Sequence, residues 1–191
     1  TKDLPQIDTG QPRNYPKDEI TDCRTAYGNA LLDLALINSQ IVAADADLSG
    51  SVKTSILKEA LPNKFFNVGI SEQHLVTLGG GLSMAGFVPF VSTFGAFMTS
   101  RAKDQARLND VNQTNVKMVS THCGLSFGQD GTTHHAIDDV NSFLGHLNTQ
   151  ILEPVDPNQC DRIIRTVATT HGNFYVRMGR HKFPVILDTK G

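Results

Sequence analysis

A glutamate stands where a strand gives way to a helix, in Val68-Gly69-Ile70-Ser71-Glu72-Gln73-His74. Phe65-Phe66-Asn67-Val68 leads into it, and Leu75, Val76, Leu78, Leu82 and Met84 continue at helical spacing. A carboxylate in a first helical turn lies beside the positive end of the dipole. Glu72 either stays ionised and caps the helix, or is partly buried and holds a proton for acid–base work. Phe94 and Phe97 flank Gly95-Ala96. Three apart, they share a helix face, packing a core or walling a flat heterocycle, with Gly95 and Ala96 leaving room. The run from Thr121-His122-Cys123 through Gln129-Asp130-Gly131 to His134-His135 holds three of the seven histidines. His122 and His134 suit donation to hydroxyls or phosphate, or proton transfer. Gly128 and Gly131 permit the tight turns that aim them. A zinc set of His122, Cys123, Asp130 and His134 is one alternative, although its spacing matches no common metal motif. A polar surface loop is another. Arg24 and Arg177 carry planar forks that grip phosphate bidentately, or serve as surface charges.

The surrounding pattern alternates strands with helices. A helix capped by Thr21 or Asp22 carries Ala26, Ala30, Leu31, Leu34 and Ile37. Short strands are predicted at 41–44, 65–69, 87–93, 116–121 and 174–178, the last taken as the final strand, and Ile151-Leu152 leads to the helix cap at Asp156-Pro157. Helices are predicted at 55–61, 72–85, 97–112, 137–144 and from Asp156-Pro157 to about 170. No tight hairpin turn joins two strands. The fold class is therefore α/β, a parallel sheet covered by helices on both faces. In such a sheet the loops after the strands form the functional edge. Here those loops are 45–51, 69–72, 93–97, 121–135 and 177–180. Gly79-Gly80-Gly81 interrupts a helix at about 1 kcal/mol per glycine, which predicts a close neighbour there. It is not a dinucleotide fingerprint, because it does not open the helix.

The chain's 191 residues suffice for one domain with a sizeable core. Seventeen basic and 19 acidic residues give a net charge of −2, which argues against nucleic-acid binding. Three well-separated cysteines suggest a reducing compartment, and no apolar run is long enough to span a membrane. The cytoplasm is the expected location. Residues 1–20, with Pro5, Gly10, Pro12 and Pro16, read as an arm or linker that lies along a partner.

Taken in order, these motifs resemble the pyrimidine-binding domain of transketolase, a thiamin diphosphate enzyme. The resemblance covers residues 21–185. It is carried by Arg24-Thr25-Ala26-Tyr27-Gly28, Ala46-Asp47-Leu48, Phe66-Asn67-Val68-Gly69-Ile70-Ser71-Glu72-Gln73, Ser92-Thr93-Phe94-Gly95-Ala96-Phe97, Thr121-His122 and Gly128-Gln129-Asp130-Gly131-Thr132-Thr133-His134. 1-Deoxyxylulose-5-phosphate synthase shares the glutamate motif, but the Thr121-His122 and Phe94/Phe97 segments look more like transketolase.

The resemblance implies roles. Glu72 matches the glutamate that bonds N1′ of the cofactor's aminopyrimidine and shares a proton there. Phe94 and Phe97 match residues stacking on that ring, and Ser100 stands where many relatives place a third aromatic. His122, Asp130 and His134 match contacts to the sugar's hydroxyls and reacting oxygens. Arg24, Ser51 and Arg177 match sugar-phosphate contacts. The family's diphosphate domain, with Gly-Asp-Gly and a following Asn that help hold Mg2+ or Ca2+, has no counterpart here. Residues 186–191 read as the start of a linker to a C-terminal domain that is missing. The resemblance therefore implies half a cofactor site and a diphosphate-binding partner subunit or domain, in a homodimer or heterotetramer acting on sugar phosphates. A non-catalytic association module of the same fold is the alternative.

Overall fold

The computed structural model describes residues 5–187. After Ile20–Thr21 (β1), Asp22 caps Cys23–Ile37 (α1) by accepting the Thr25 N–H at 2.8 Å, which satisfies one of the first turn's orphan donors. Ile41–Asp45 (β2) follows, then the short helices Ser49–Val52 (α2) and Ser55–Ala60 (α3). Phe65–Asn67 (β3) leads to Glu72–Met84 (α4), and Val88–Phe94 (β4) to Gly95–Arg101 (α5) and Lys103–Val111 (α6). Lys117–Thr121 (β5) precedes Asp139–Phe143 (α7), and Thr149–Leu152 (β6) precedes Pro157–Thr169 (α8). Asn173–Arg177 (β7) and Phe183–Pro184 (β8) close the described chain.

Six strands form one sheet in the order β3-β2-β4-β5-β7-β6, with every neighbouring pair parallel. Successive strand residues go to opposite faces. Ala43, Phe90, Val119 and Val176 pack with α1 and α8, whereas Ala44, Val91, Met118 and Tyr175 pack with α4, α5 and α6. Burial on both faces is why β2 reads as a continuous apolar run and not as alternation. At the amino end of β5 the fully buried Lys117 ammonium donates to Asn115 Oδ1, Thr170 O and Gly172 O at 2.6–2.8 Å. Burial pulls its pKa down to about 7, while the three acceptors favour the charged form.

Several elements differ from the sequence-based expectation. The single helix predicted over 97–112 is two, because Ala102 leaves helical geometry at φ −104°, ψ 17°. Alanine favours helix, so nothing local breaks the run. Tertiary packing does: Ala102 is fully buried, and Asn109 on α6 donates to the Val76 carbonyl of α4 at 3.0 Å. β7 is not the last strand, since β8 pairs antiparallel with β1. Two-residue strands carry no periodicity to read. The close neighbours predicted at the glycine triplet exist for two of the three. A methyl on Gly79 would stand 2.9 Å from Val91 Cγ1, and one on Gly80 would collide with the Asn109 amide, while Gly81 faces open space.

The described part of the arm lies over α1 and α8 of its own domain. Tyr15 is buried, and its N–H donates to Asn158 Oδ1 at 2.8 Å while Asn158 Nδ2 donates back to Tyr15 O at 3.0 Å. Arg165 Nη1 donates to Thr9 O at 2.7 Å. The linker read at 186–191 lies, beyond Leu187, outside the described residues, as do the arm's first four.

Candidate functional site

The chain places β3 on one side of β2 and then crosses to lay β4 on the other. Their carboxyl ends flank the topological switch point, where open α/β sheets bind ligands. Glu72 is the first residue of α4 and is only 3% exposed. The N-cap Ser71 makes no side-chain capping bond, and Arg101 Nη1 donates to Glu72 Oε1 at 2.8 Å. The same guanidinium lies over Phe97, with Cζ 3.9 Å from the ring centroid. A buried carboxylate and an aromatic face are thus joined through a residue to which the sequence reading gave no role. The helix break at Ala102 places Arg101 at the end of α5, and a contact made across such a break leaves no spacing signal.

Phe94 and Phe97 meet at 5.6 Å between centroids, and Phe127 stands edge-on to Phe94 at 5.1 Å. Phe94 is core, packed with Val52 and Phe127, while Phe97 is half-buried beside it. Gly95 does not leave room for a heterocycle. Its open side faces the loop after β5, where a methyl would stand 2.5 Å from Cys123 Sγ and 2.9 Å from Ala136 Cβ. Its absent side chain lets that histidine-bearing loop close onto α5.

His122 and His134 converge on these rings. His122 lies 4.4 Å from Phe94, and His134 lies 5.1 Å from Phe97 and 5.0 Å from Phe127. His122 sits in the left-handed region at φ 62°, a strained conformation of the kind that collects at functional sites. Its Nδ1 is 2.8 Å from Thr121 Oγ1, and its Nε2 is 3.5 Å from Arg24 Nη1. Arginine only donates, so the contact assigns the lone pair to Nε2 and the proton to Nδ1. Burial, and then the Arg24 and Arg180 charges, push the His122 pKa down from 6.5 to about 3. The folded chain therefore refuses a proton that the unfolded chain accepts below pH 6.5. This contribution is fully present above pH 6.5 and is lost as pH falls toward 3, at up to about 1.4 kcal/mol per pH unit. Urea unfolding at pH 7 and pH 5 is expected to show a smaller loss for His122→Asn than for the unsubstituted chain; equal losses would refute the assignment.

Arg24 Nη1 also donates to the Ser51 carbonyl at 3.1 Å, so Arg24, Ser51 and His122 form one group. Arg180 joins it, donating to the Phe127 carbonyl and adding charge that depresses both His122 and Arg24. Arg24 Nε is buried with no hydrogen-bond partner. Arg177 is committed elsewhere: its Nε donates to Asp139 Oδ2 at 2.7 Å, and its Nη1 pairs with Glu153 Oε2 at 2.6 Å. Two carboxylates already neutralise it, so the structure leaves Arg180, three residues on, as the arginine facing Arg24. The sequence carried the signal as the second arginine of Arg177-Met178-Gly179-Arg180. Asp130 is exposed on the same loop as His134.

The zinc reading fails on geometry. Cys123 follows His122 but turns into the core, 3.7 Å from Tyr175 Oη, and burial pushes its thiol up to about 12. Among the described residues no three His, Cys, Asp or Glu side chains cluster to hold a metal. A cavity of about 320 Å³ bordered by Gln113, Asn148 and His171 lies apart from these groups, by the amino end of β7.

Residues 20–185 match the family described as transketolase, pyrimidine binding domain. The chain belongs to this family. It is 34% identical over 168 residues to a putative transketolase C-terminal section of Methanocaldococcus jannaschii, covering 87% of this chain and 53% of that protein. It is 31% identical over 191 residues to transketolase of Homo sapiens, covering 97% of this chain and 30% of the human protein. A split-gene transketolase, solved as an inactive β4 tetramer, matches with a TM-score of 0.79 and 38% identity, over 89% of this chain and 55% of that one. Transketolase from Campylobacter jejuni shares the fold with a TM-score of 0.85 at 22% identity, over 95% of this chain and 29% of that one. The chain thus spans about half the length of the archaeal relative and under a third of the human and Campylobacter enzymes. No helix among the described residues is long and apolar enough to cross a membrane.

Proposed function

We propose that this chain is the pyrimidine-binding half of a thiamin diphosphate-dependent ketol transferase, active with a diphosphate-binding partner that also holds the Mg2+ or Ca2+. The observation that carries this reading is the buried Glu72 carboxylate, tied by Arg101 to the Phe97 face at the switch point. A buried acceptor beside an aromatic face fits a flat heterocycle with a proton to share, and the donor set here fits that half of the cofactor alone. When bound, thiamin diphosphate supplies the electron sink for carbon–carbon bond cleavage.

In this reading Glu72 accepts and returns a proton at the pyrimidine N1′, aided by its buried position. Phe94 and Phe97 orient the ring and, with Phe127, exclude water. Neutral His122, its Nδ1–H held by Thr121 Oγ1, accepts from a sugar hydroxyl at the Nε2 lone pair, and His134 and Asp130 face the same substrate from the loop after β5. Arg24, whose Nε lies 3.5 Å from Asp22 Oδ1, and Arg180 both bring their charge to His122, and two guanidinium forks suit a sugar phosphate. Arg177 instead positions the loop carrying Asp139. The location that fits this work is the cytoplasm.

The test is ketol transfer between sugar phosphates with added thiamin diphosphate, by this chain alone and mixed with a diphosphate-domain subunit. Activity only in the mixture is the expected result. Activity of the chain alone would contradict the half-site reading, and no activity in the mixture would favour the association module.

A further inference from the structure

The Arg101 guanidinium is planar and carries N–H donors. It lies 3.9 Å over Phe97 and donates to Glu72 at 2.8 Å. Stacking on Phe97 and donating to Glu72 are the two contacts that the proposed function asks of an aminopyrimidine. Two flat groups cannot stack on one ring face at the same time. We propose that Arg101 is a resident competitor: it takes the heterocycle's place at Glu72 and Phe97 and sets the site's affinity and selectivity by having to leave. This inference rests on the reading of Glu72 and Phe97 as the pyrimidine wall.

Three features favour a swinging side chain over a fixed strut. The Arg101 side chain is 44% exposed, whereas Glu72's is 4%, so the arginine can leave toward water while the carboxylate stays. Its long, flexible stem ends the seven-residue α5, next to the break at Ala102. These two are its contacts among the described residues, so departure orphans no buried group except Glu72, which the incoming ligand satisfies. The selectivity follows from the chemistry displaced. An entering ring must replace both a stacked π face and an N–H donor to a carboxylate. Amidine-like heterocycles do both; a plain aromatic hydrocarbon lacks the donor and leaves the carboxylate unpaired.

Both contacts belong to this chain, so 4-amino-2-methylpyrimidine alone is the appropriate probe, titrated into the chain and followed by NMR of backbone amides near residues 72 and 97. The expected result is about tenfold tighter binding to Arg101→Ala than to the unsubstituted chain, the size of one exposed ion pair plus one cation–π contact removed. Added guanidinium ion is expected to compete with the probe in Arg101→Ala, and Arg101→Lys, which keeps charge without the plane, to bind with intermediate affinity. Equal or weaker binding by Arg101→Ala, with Glu72→Ala abolishing binding in both backgrounds, would overturn the competitor while leaving the pyrimidine wall intact. Binding by neither protein, or binding indifferent to Glu72, would overturn the wall and the competitor with it.

Discussion

Glu72→Gln is expected to lower thiamin diphosphate-dependent ketol transfer by the mixed subunits at least about a thousandfold, within the range that a positioned acid–base group contributes. Glutamine keeps the shape and a hydrogen-bonding edge but has neither charge nor a proton to exchange. The fold is expected to survive, because the carboxylate's ion pair is to a half-exposed arginine, worth at most about 1 kcal/mol. Initial rates at saturating cofactor, beside a melting curve for each protein, separate the two effects. A variant that transfers ketol groups at near-normal rates would remove Glu72 from the chemistry.

Asp139→Ala is expected to be the most destabilising of the substitutions considered, by about 3–5 kcal/mol in urea unfolding. Asp139 is 1% exposed and accepts from Tyr175 Oη at 2.8 Å and from Arg177 Nε at 2.7 Å. Burial alone would lower the Arg177 pKa, but the hydrogen bond and charge of Asp139 raise it above its ordinary value, so the cation persists and would be left partly buried beside a neutral alanine. The paired comparison separates structure from function. Arg177→Met is expected to lower stability with little change in KM for the sugar phosphate once folded. Arg180→Met is expected to raise that KM about tenfold or more at nearly unchanged stability. The reverse pattern would return Arg177 to the phosphate site.

The sequence by itself determined the layers and the place of the site. Short continuous apolar runs, caps such as Asp22 and Asp156, and the absence of hairpin turns were all local signals, and they led to the parallel, doubly covered sheet. Local pattern also placed Glu72 at a helix start and His122 just after a strand, because strand ends and first turns are written in adjacent residues.

Tertiary structure decided which side chains meet. Arg101 reaches Glu72 across 29 positions, and Phe127 and Arg180 reach Phe94 and His122 from other loops. Arg177 and Arg180 look alike in the chain, and only the approach of Asp139 and Glu153 separates them. The break between α5 and α6 has no sequence marker, since it comes from packing against α4. Such choices depend on distances between residues remote in sequence, set by the whole sheet's stacking, and no window of neighbouring residues contains them.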